Sequence, residues 1–156
     1  LVIAKKELLE KSNPDLPNIL KYDAHANEGS MLNTPNTFGW YVAGKMFDWY
    51  LENGGVAEME KQSVAKTAML YDLIDKSDFY LNPVNPEQRS INNVVFTIVN
   101  SELEKVFLEE AEKADLRYLK GHRTVGGMRA SIYNSMKMES VSALKDFMES
   151  FEKNYG

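Results

Sequence analysis

Residues 90–114 read S-I-N-N-V-V-F-T-I-V-N-S-E-L-E-K-V-F-L-E-E-A-E-K-A, and the hydrophobic period changes inside them. Val94, Phe96 and Ile98 recur every second residue, which predicts a strand over Ser90–Val99 with one buried face. Ser101-Glu102-Leu103-Glu104 has the form of a capping box. It predicts a helix carrying Leu103, Val106, Phe107, Ala111 and Ala114 on its apolar side. A strand handing over directly to an amphipathic helix is the unit of an α/β fold.

Upstream of this stretch, Phe79–Leu81 reads as a short strand and Asn82–Gln88 as a Pro/Asn turn. Val56–Lys76 is a predicted helix with Met59, Ser63, Thr67, Leu70, Tyr71 and Ile74 along one side. That stripe is only partly apolar, so the helix is expected to pack on more than one partner. A domain division is expected near Asp75–Asp78, separating residues 1–76 from 77–156. Phe38, Tyr41, Val42, Met46, Trp49 and Tyr50 recur at helical spacing up to the stop Asn53-Gly54-Gly55, and this stripe is expected in a core. Thr34 followed by Pro35 fits an N-cap with proline at the first helical position. Earlier still come an extended segment at Leu20–His25, a loop at 12–17, a helical turn over Lys5–Glu10 and a buried strand at Leu1–Ala4. The abrupt apolar start suggests a piece of a longer polypeptide.

Downstream, Leu116–Leu119 is expected to be a strand delivering a loop. Ala130–Tyr133 is a strand or helix entry leaving it. Glu139–Lys153 is amphipathic, with Val141, Leu144, Phe147 and Phe151 inward. Strand, strand, helix, strand, loop and helix describe a small α/β domain.

The chain has 156 residues, a formal net charge of -5, no cysteine and two histidines. Disulfides, thiol nucleophiles and cysteine metal sites are excluded. His25 and His122 lie too far apart in sequence to suggest a zinc site, so no metal is expected. The acidic balance and the lack of a Lys/Arg stripe argue against nucleic acid. No apolar run approaches the length of a membrane span.

Against that acidic background, residues 120–131 read K-G-H-R-T-V-G-G-M-R-A-S. His122, Arg123 and Arg129 gather around Gly126-Gly127, with Lys120 adding a further cation. Arginine's fork pairs with carboxylates or phosphates through parallel hydrogen bonds, and glycine lets backbone come close. The competing reading is a solvated basic loop balancing acidic helices. Asn33 and Thr34 likewise either cap a helix or, with the amides of its start, hold an anion. No nucleophile and base are paired by spacing, so no catalytic residue is assigned. The two sites together suit a small, multiply anionic ligand such as a phosphorylated carboxylate.

Four motifs carry a resemblance: S-M-L-N-T-P-N-T-F at 30–38, N-G-G-V-A-E-M at 53–59, F-L-E-E at 107–110, and G-H-R-T-V-G-G-M-R-A-S-I-Y-N-S-M at 121–136. In order and interval they resemble the phosphoserine aminotransferases, class V pyridoxal-phosphate-dependent enzymes of fold type I. The resemblance covers essentially the whole chain but only the carboxy-terminal part of that family. It implies the end of a large cofactor-binding domain with a connecting helix, residues 1–76, and a small carboxy-terminal domain, residues 77–156. It implies that Asn33 and Thr34 reach across a homodimer to the cofactor phosphate in the neighbouring subunit. His122 and Arg123 would bind the substrate phosphate or the glutamate side-chain carboxylate across the same dimer, and Arg129 the α-carboxylate. The implied reaction interconverts phosphoserine and glutamate with their keto acids in serine biosynthesis, in the cytoplasm, with a pyridoxine-biosynthetic role also associated. The alternative is a non-catalytic anion-binding or structural α/β module.

The same resemblance places the cofactor-bearing lysine upstream of Leu1, in an amino-terminal part of the same protein. None of Lys5, Lys6 and Lys120 sits in a matching context. The 156-residue polypeptide alone is therefore expected to show no transamination, checked by measuring glutamate-dependent turnover with purified material. Substantial turnover would overturn the expectation.

Overall fold

In the computed structural model, which describes residues 1–156, the period-2 stretch is the middle strand of an antiparallel sheet. The strands β1 (Tyr80–Leu81), β2 (Asn93–Ile98) and β3 (Met128–Ser131) lie in the order β1-β2-β3. Tyr80 pairs with Ile98, Val94 with Ala130, Val95 with Arg129 and Phe96 with Met128. By contact the chain forms two units, Leu1–Trp49 and Tyr50–Gly156.

The first unit contains α1 (Lys6–Leu9), a 3-10 turn at Asn18–Leu20, α2 (Tyr22–Asn27) and most of α3 (Thr37–Glu52). Several expectations are corrected here. Residues 1–4 form no strand, and Leu1, Val2 and Ile3 are exposed, because no strand pairs with them. Leu20–His25 is not extended. The backbone amides of Leu20 and Lys21 bond back to Pro17 and Asn18, and the turn leads straight into α2.

Helix α3 begins at Thr37, later than Thr34-Pro35 suggested. Asn36 is the cap, its Oδ1 accepting from the Gly39 N–H at 3.0 Å. Asparagine is at least as good a cap as threonine, so the later candidate wins. The aromatic stripe of α3 is not core within this chain: the helix buries no residue, and Phe38, Tyr41, Val42 and Met46 are all exposed.

The second unit has its own core. Helices α4 (Gly55–Lys76), α5 (Leu103–Lys113) and α6 (Met138–Tyr155) join the three strands. Residues of β2 alternate between half-buried and buried, which places Val94, Phe96 and Ile98 inward as expected. Phe107 of α5 is fully buried at the centre. Its ring lies edge-on to Phe96 at 5.7 Å, Phe147 at 5.1 Å and Phe151 at 5.0 Å between centroids. Such edge-to-face pairs add to the burial term. Leu70 and Ile74 of α4, and Val141, Leu144 and Met148 of α6, complete the cluster. Tyr80 is buried with its hydroxyl donating to the Met148 carbonyl at 2.9 Å, and burial pushes its pKa far above the ordinary tyrosine value.

Two further expectations fail. The Ser101 capping box does not form; Asn100 Oδ1 instead accepts from the Glu102 N–H at 3.1 Å, and α5 starts at Leu103. Leu116–Leu119 is not a strand, because Asp115 and Tyr118 take left-handed backbone conformations at φ 64° and 63°. That geometry interrupts strand pairing and leaves a single bridge from Lys120 to Met128. Of the two readings for Ala130–Tyr133, the strand is realised only at Ala130 and Ser131, the end of β3, and Ile132 and Tyr133 lie beyond it.

The central place of Phe107 yields a test. Phe107→Ala should destabilise the protein by about 3–5 kcal/mol, the usual range for deleting a buried phenyl ring. Chemical denaturation should show the lower midpoint; an unchanged midpoint would contradict this core.

Candidate anion-binding site

The loop after Lys120 is a closed hairpin held by its backbone. The Gly121 amide donates to the Gly127 carbonyl at 2.8 Å, and the amides of Val125 and Gly126 both donate to the His122 carbonyl, at 2.9 and 2.8 Å. Two of its glycines are required by geometry. A Cβ on Gly121 would lie 2.0 Å from the Gly126 carbonyl oxygen. Gly127 sits at φ 63°, and a Cβ there would meet the Phe96 carbonyl oxygen at 2.8 Å.

This hairpin presents His122 and Arg123 to solvent. They line a depression of about 520 Å³ together with Lys120 and the α5 residues Glu104, Leu108 and Glu112. The His122 ring is held by Thr124, whose Oγ1 lies 2.7 Å from Nδ1. Arg123 makes no ion pair despite the acidic helix nearby. Glu109 of that helix is engaged by Lys105 at 3.8 Å.

Arg129 emerges from β3 on the sheet face opposite the core, since Met128 and Ala130 on either side point inward. It lines a separate cavity of about 440 Å³, with Leu116, Ile132, Met136, Ser140 and Leu144. Its Nε is buried and has no hydrogen-bond partner. A buried, unsatisfied donor on a guanidinium is costly unless an acceptor completes it. The arrangement suits a carboxylate or phosphate approaching Arg129. Neither Arg123 nor Arg129 pairs with an internal carboxylate, as a purely structural role would require. Within the second unit, His122 and Arg123 therefore face one depression and Arg129 another.

Asn33 and Thr34 belong to the first unit. They are exposed on the irregular stretch before α3, and their side chains make no hydrogen bond within the chain.

One group escaped the sequence reading. Lys66, on the inward face of α4, is only 2% exposed. Its Nζ donates to the carbonyls of Tyr133 and Met136 at 2.9 and 3.0 Å. One turn earlier, Ser63 donates to Asn134 Oδ1 at 3.3 Å. Helix α4 thereby holds the segment that follows β3, and burial keeps the Lys66 pKa below the ordinary lysine value. Its position between Ser63 and Leu70 on the buried stripe was the available signal.

Residues 1–144 match the family model Aminotransferase class-V. The chain belongs to the class V aminotransferases. A curated phosphoserine aminotransferase from Acinetobacter baylyi is 51% identical over all 156 residues, which are 44% of that relative. Among solved structures, phosphoserine aminotransferase from Bacillus circulans subsp. alkalophilus superposes with a TM-score of 0.93 at 39% identity. That match covers 98% of this chain and 43% of the other. A pyridoxal-phosphate-bound phosphoserine aminotransferase from Trichomonas vaginalis gives 0.79 at 34% identity, over 88% of this chain and 39% of that one. The fold is thus part of a fold type I aminotransferase. The chain spans less than half the length of these relatives.

The loop geometry makes its own forecast. Gly121→Ala should force the hairpin open and speed tryptic cleavage after Arg123, followed by mass spectrometry of the first fragments. Cleavage at the native rate would show that the hairpin tolerates the added carbon.

Proposed function

We propose that this chain is part of a phosphoserine aminotransferase, interconverting 3-phosphoserine and 2-oxoglutarate with 3-phosphohydroxypyruvate and glutamate in serine biosynthesis. The unpartnered buried Nε of Arg129 carries the reading, because it leaves a fixed cation waiting for an anion. The 51% identity to the Acinetobacter baylyi enzyme supports the same substrate class. In this reading residues 1–76 end the large domain and 77–156 form the small one. The enzyme is a cytoplasmic homodimer with shared active sites and a further role in pyridoxine biosynthesis.

Arg129 holds the α-carboxylate, the group common to every substrate in both half-reactions. A guanidinium suits this task because its two parallel N–H bonds fix the plane of the carboxylate as well as its position. His122 and Arg123 take the group that varies, a phosphate in one half-reaction and a side-chain carboxylate in the other. Their location on a hairpin, apart from Arg129 on a strand, fits one fixed and one adaptable end. Pyridoxal phosphate, when bound, supplies the electron sink and the carbonyl that accepts the amino group. The exposed and unengaged side chains of Asn33 and Thr34 fit its phosphate, both offering donors with no internal partner to displace. These two residues serve the neighbouring subunit's cofactor.

Arg129→Ala in the complete enzyme should weaken both substrates, losing about 2–5 kcal/mol as a desolvated charge pair is broken. Steady-state kinetics in both directions measure it. Unchanged KM values for glutamate and for the phosphorylated keto acid would rule out the carboxylate role.

A further inference from the structure

We infer that Thr124 is a positioning residue for His122, turning the imidazole so that its Nε2–H is the donor offered to the variable anion of the substrate. The inference rests on the assignment of His122 proposed above and extends it to a residue that would not itself touch the ligand.

The geometry is specific. Thr124 approaches Nδ1 twice, through Oγ1 at 2.7 Å and through its backbone N–H at 3.4 Å. A backbone N–H can only donate, so the nitrogen it faces acts as the acceptor. In a neutral imidazole the proton then resides on Nε2. The hydroxyl can donate to Nδ1 in that state, or accept from Nδ1–H when the ring is protonated. One side chain therefore holds the ring in either charge state, with Nε2–H available in both.

The main chain around the ring is already fixed. The His122 carbonyl takes the amides of Val125 and Gly126, and Gly121 is bonded to Gly127. What remains free is rotation of the imidazole itself, and Thr124 supplies its only side-chain hydrogen bond. An exposed histidine without that contact would sample several rotamers, and would lose ordering entropy on meeting the anion. With it, the donor is set before the substrate arrives. The benefit should be larger for a phosphate than for a carboxylate, because the greater charge strengthens each hydrogen bond made to it.

The test uses the complete enzyme and three variants. Thr124→Val keeps the branched shape and removes the hydroxyl; Thr124→Ser restores it. Thr124→Val should raise KM for phosphoserine about 3- to 10-fold, the loss of one modest hydrogen bond, with kcat changed less than about 2-fold. Thr124→Ser should return KM toward the native value. Nitrogen NMR of His122 should show Nε2–H as the dominant neutral tautomer in the native enzyme and also in Thr124→Val, which keeps the backbone N–H. Side-chain couplings should show an ordered ring in the native enzyme and rotamer averaging in Thr124→Val. His122→Ala separates the two levels of argument. If His122→Ala raises KM for phosphoserine while Thr124→Val changes neither KM nor the ordering of the ring, the positioning role is wrong and the anion-binding reading stands. If His122→Ala leaves KM unchanged, both fall.

Discussion

Because Phe96 pairs with Met128 and Val95 with Arg129, the strand that fills the core is also the strand that presents the guanidinium. Alternation decides the division: Met128 and Ala130 go into the aromatic cluster around Phe107, while Arg129 faces the other way. A slip of one residue would exchange these sets, driving a guanidinium against Phe107 and exposing Met128. Burying an unpaired charge costs far more than the slip could return. The register is therefore enforced by hydrophobic burial, and the position of the proposed carboxylate-binding group follows from it.

The hairpin depends on that same pairing. Gly127 comes within a Cβ's reach of the Phe96 carbonyl, so the loop closes directly against the central strand. Its cations then stand across a depression from Glu104 and Glu112, with no ion pair formed. This is a useful compromise for an anion site. The acidic helix offsets the cationic excess at longer range, yet no carboxylate occupies the hydrogen-bonding positions of Arg123 or the His122 ring. Thr124, uncharged, organises the imidazole without competing for the substrate.

Legibility in the sequence followed the range of the interactions involved. The strand at Val94–Ile98, the helix ending at Lys76 and the inward Val141, Leu144 and Phe151 were readable because burial imposes a period along the chain. Even there the period does not separate Met148 from Phe147, since the two are neighbours and only packing decides which is fully enclosed. Caps were less readable. Thr34 and Ser101 have the right chemistry, but Asn36, two residues on, caps α3, and Asn100, one residue back, takes the Glu102 amide; shifts this small cost little. The failed strand at 116–119 turned on the positive φ of Asp115 and Tyr118, residues that give no glycine-like warning. At the site, residue types were legible and their grouping was not. Nothing in the spacing of His122, Arg123 and Arg129 shows that the first two share a depression while the third lines another cavity, or that Thr124 reaches back to Nδ1. Those are contacts of side-chain direction.

The stripe on α3 carries the same point to the scale of the whole protein. The period of Phe38, Tyr41, Val42 and Met46 marks them for a core, and it is the period of the helix they occupy. Within these 156 residues the face is exposed, while the second unit closes around Phe107 with three helices and three strands. A helix with so much apolar surface is stable when another layer covers it. The solved relatives are more than twice as long as the part this chain matches. The face is open here, so amphipathic periodicity reports that a surface is suited to burial, not which segment buries it. That distinction explains why a single sequence pattern succeeds for β2, whose partners lie within the chain, and misplaces α3.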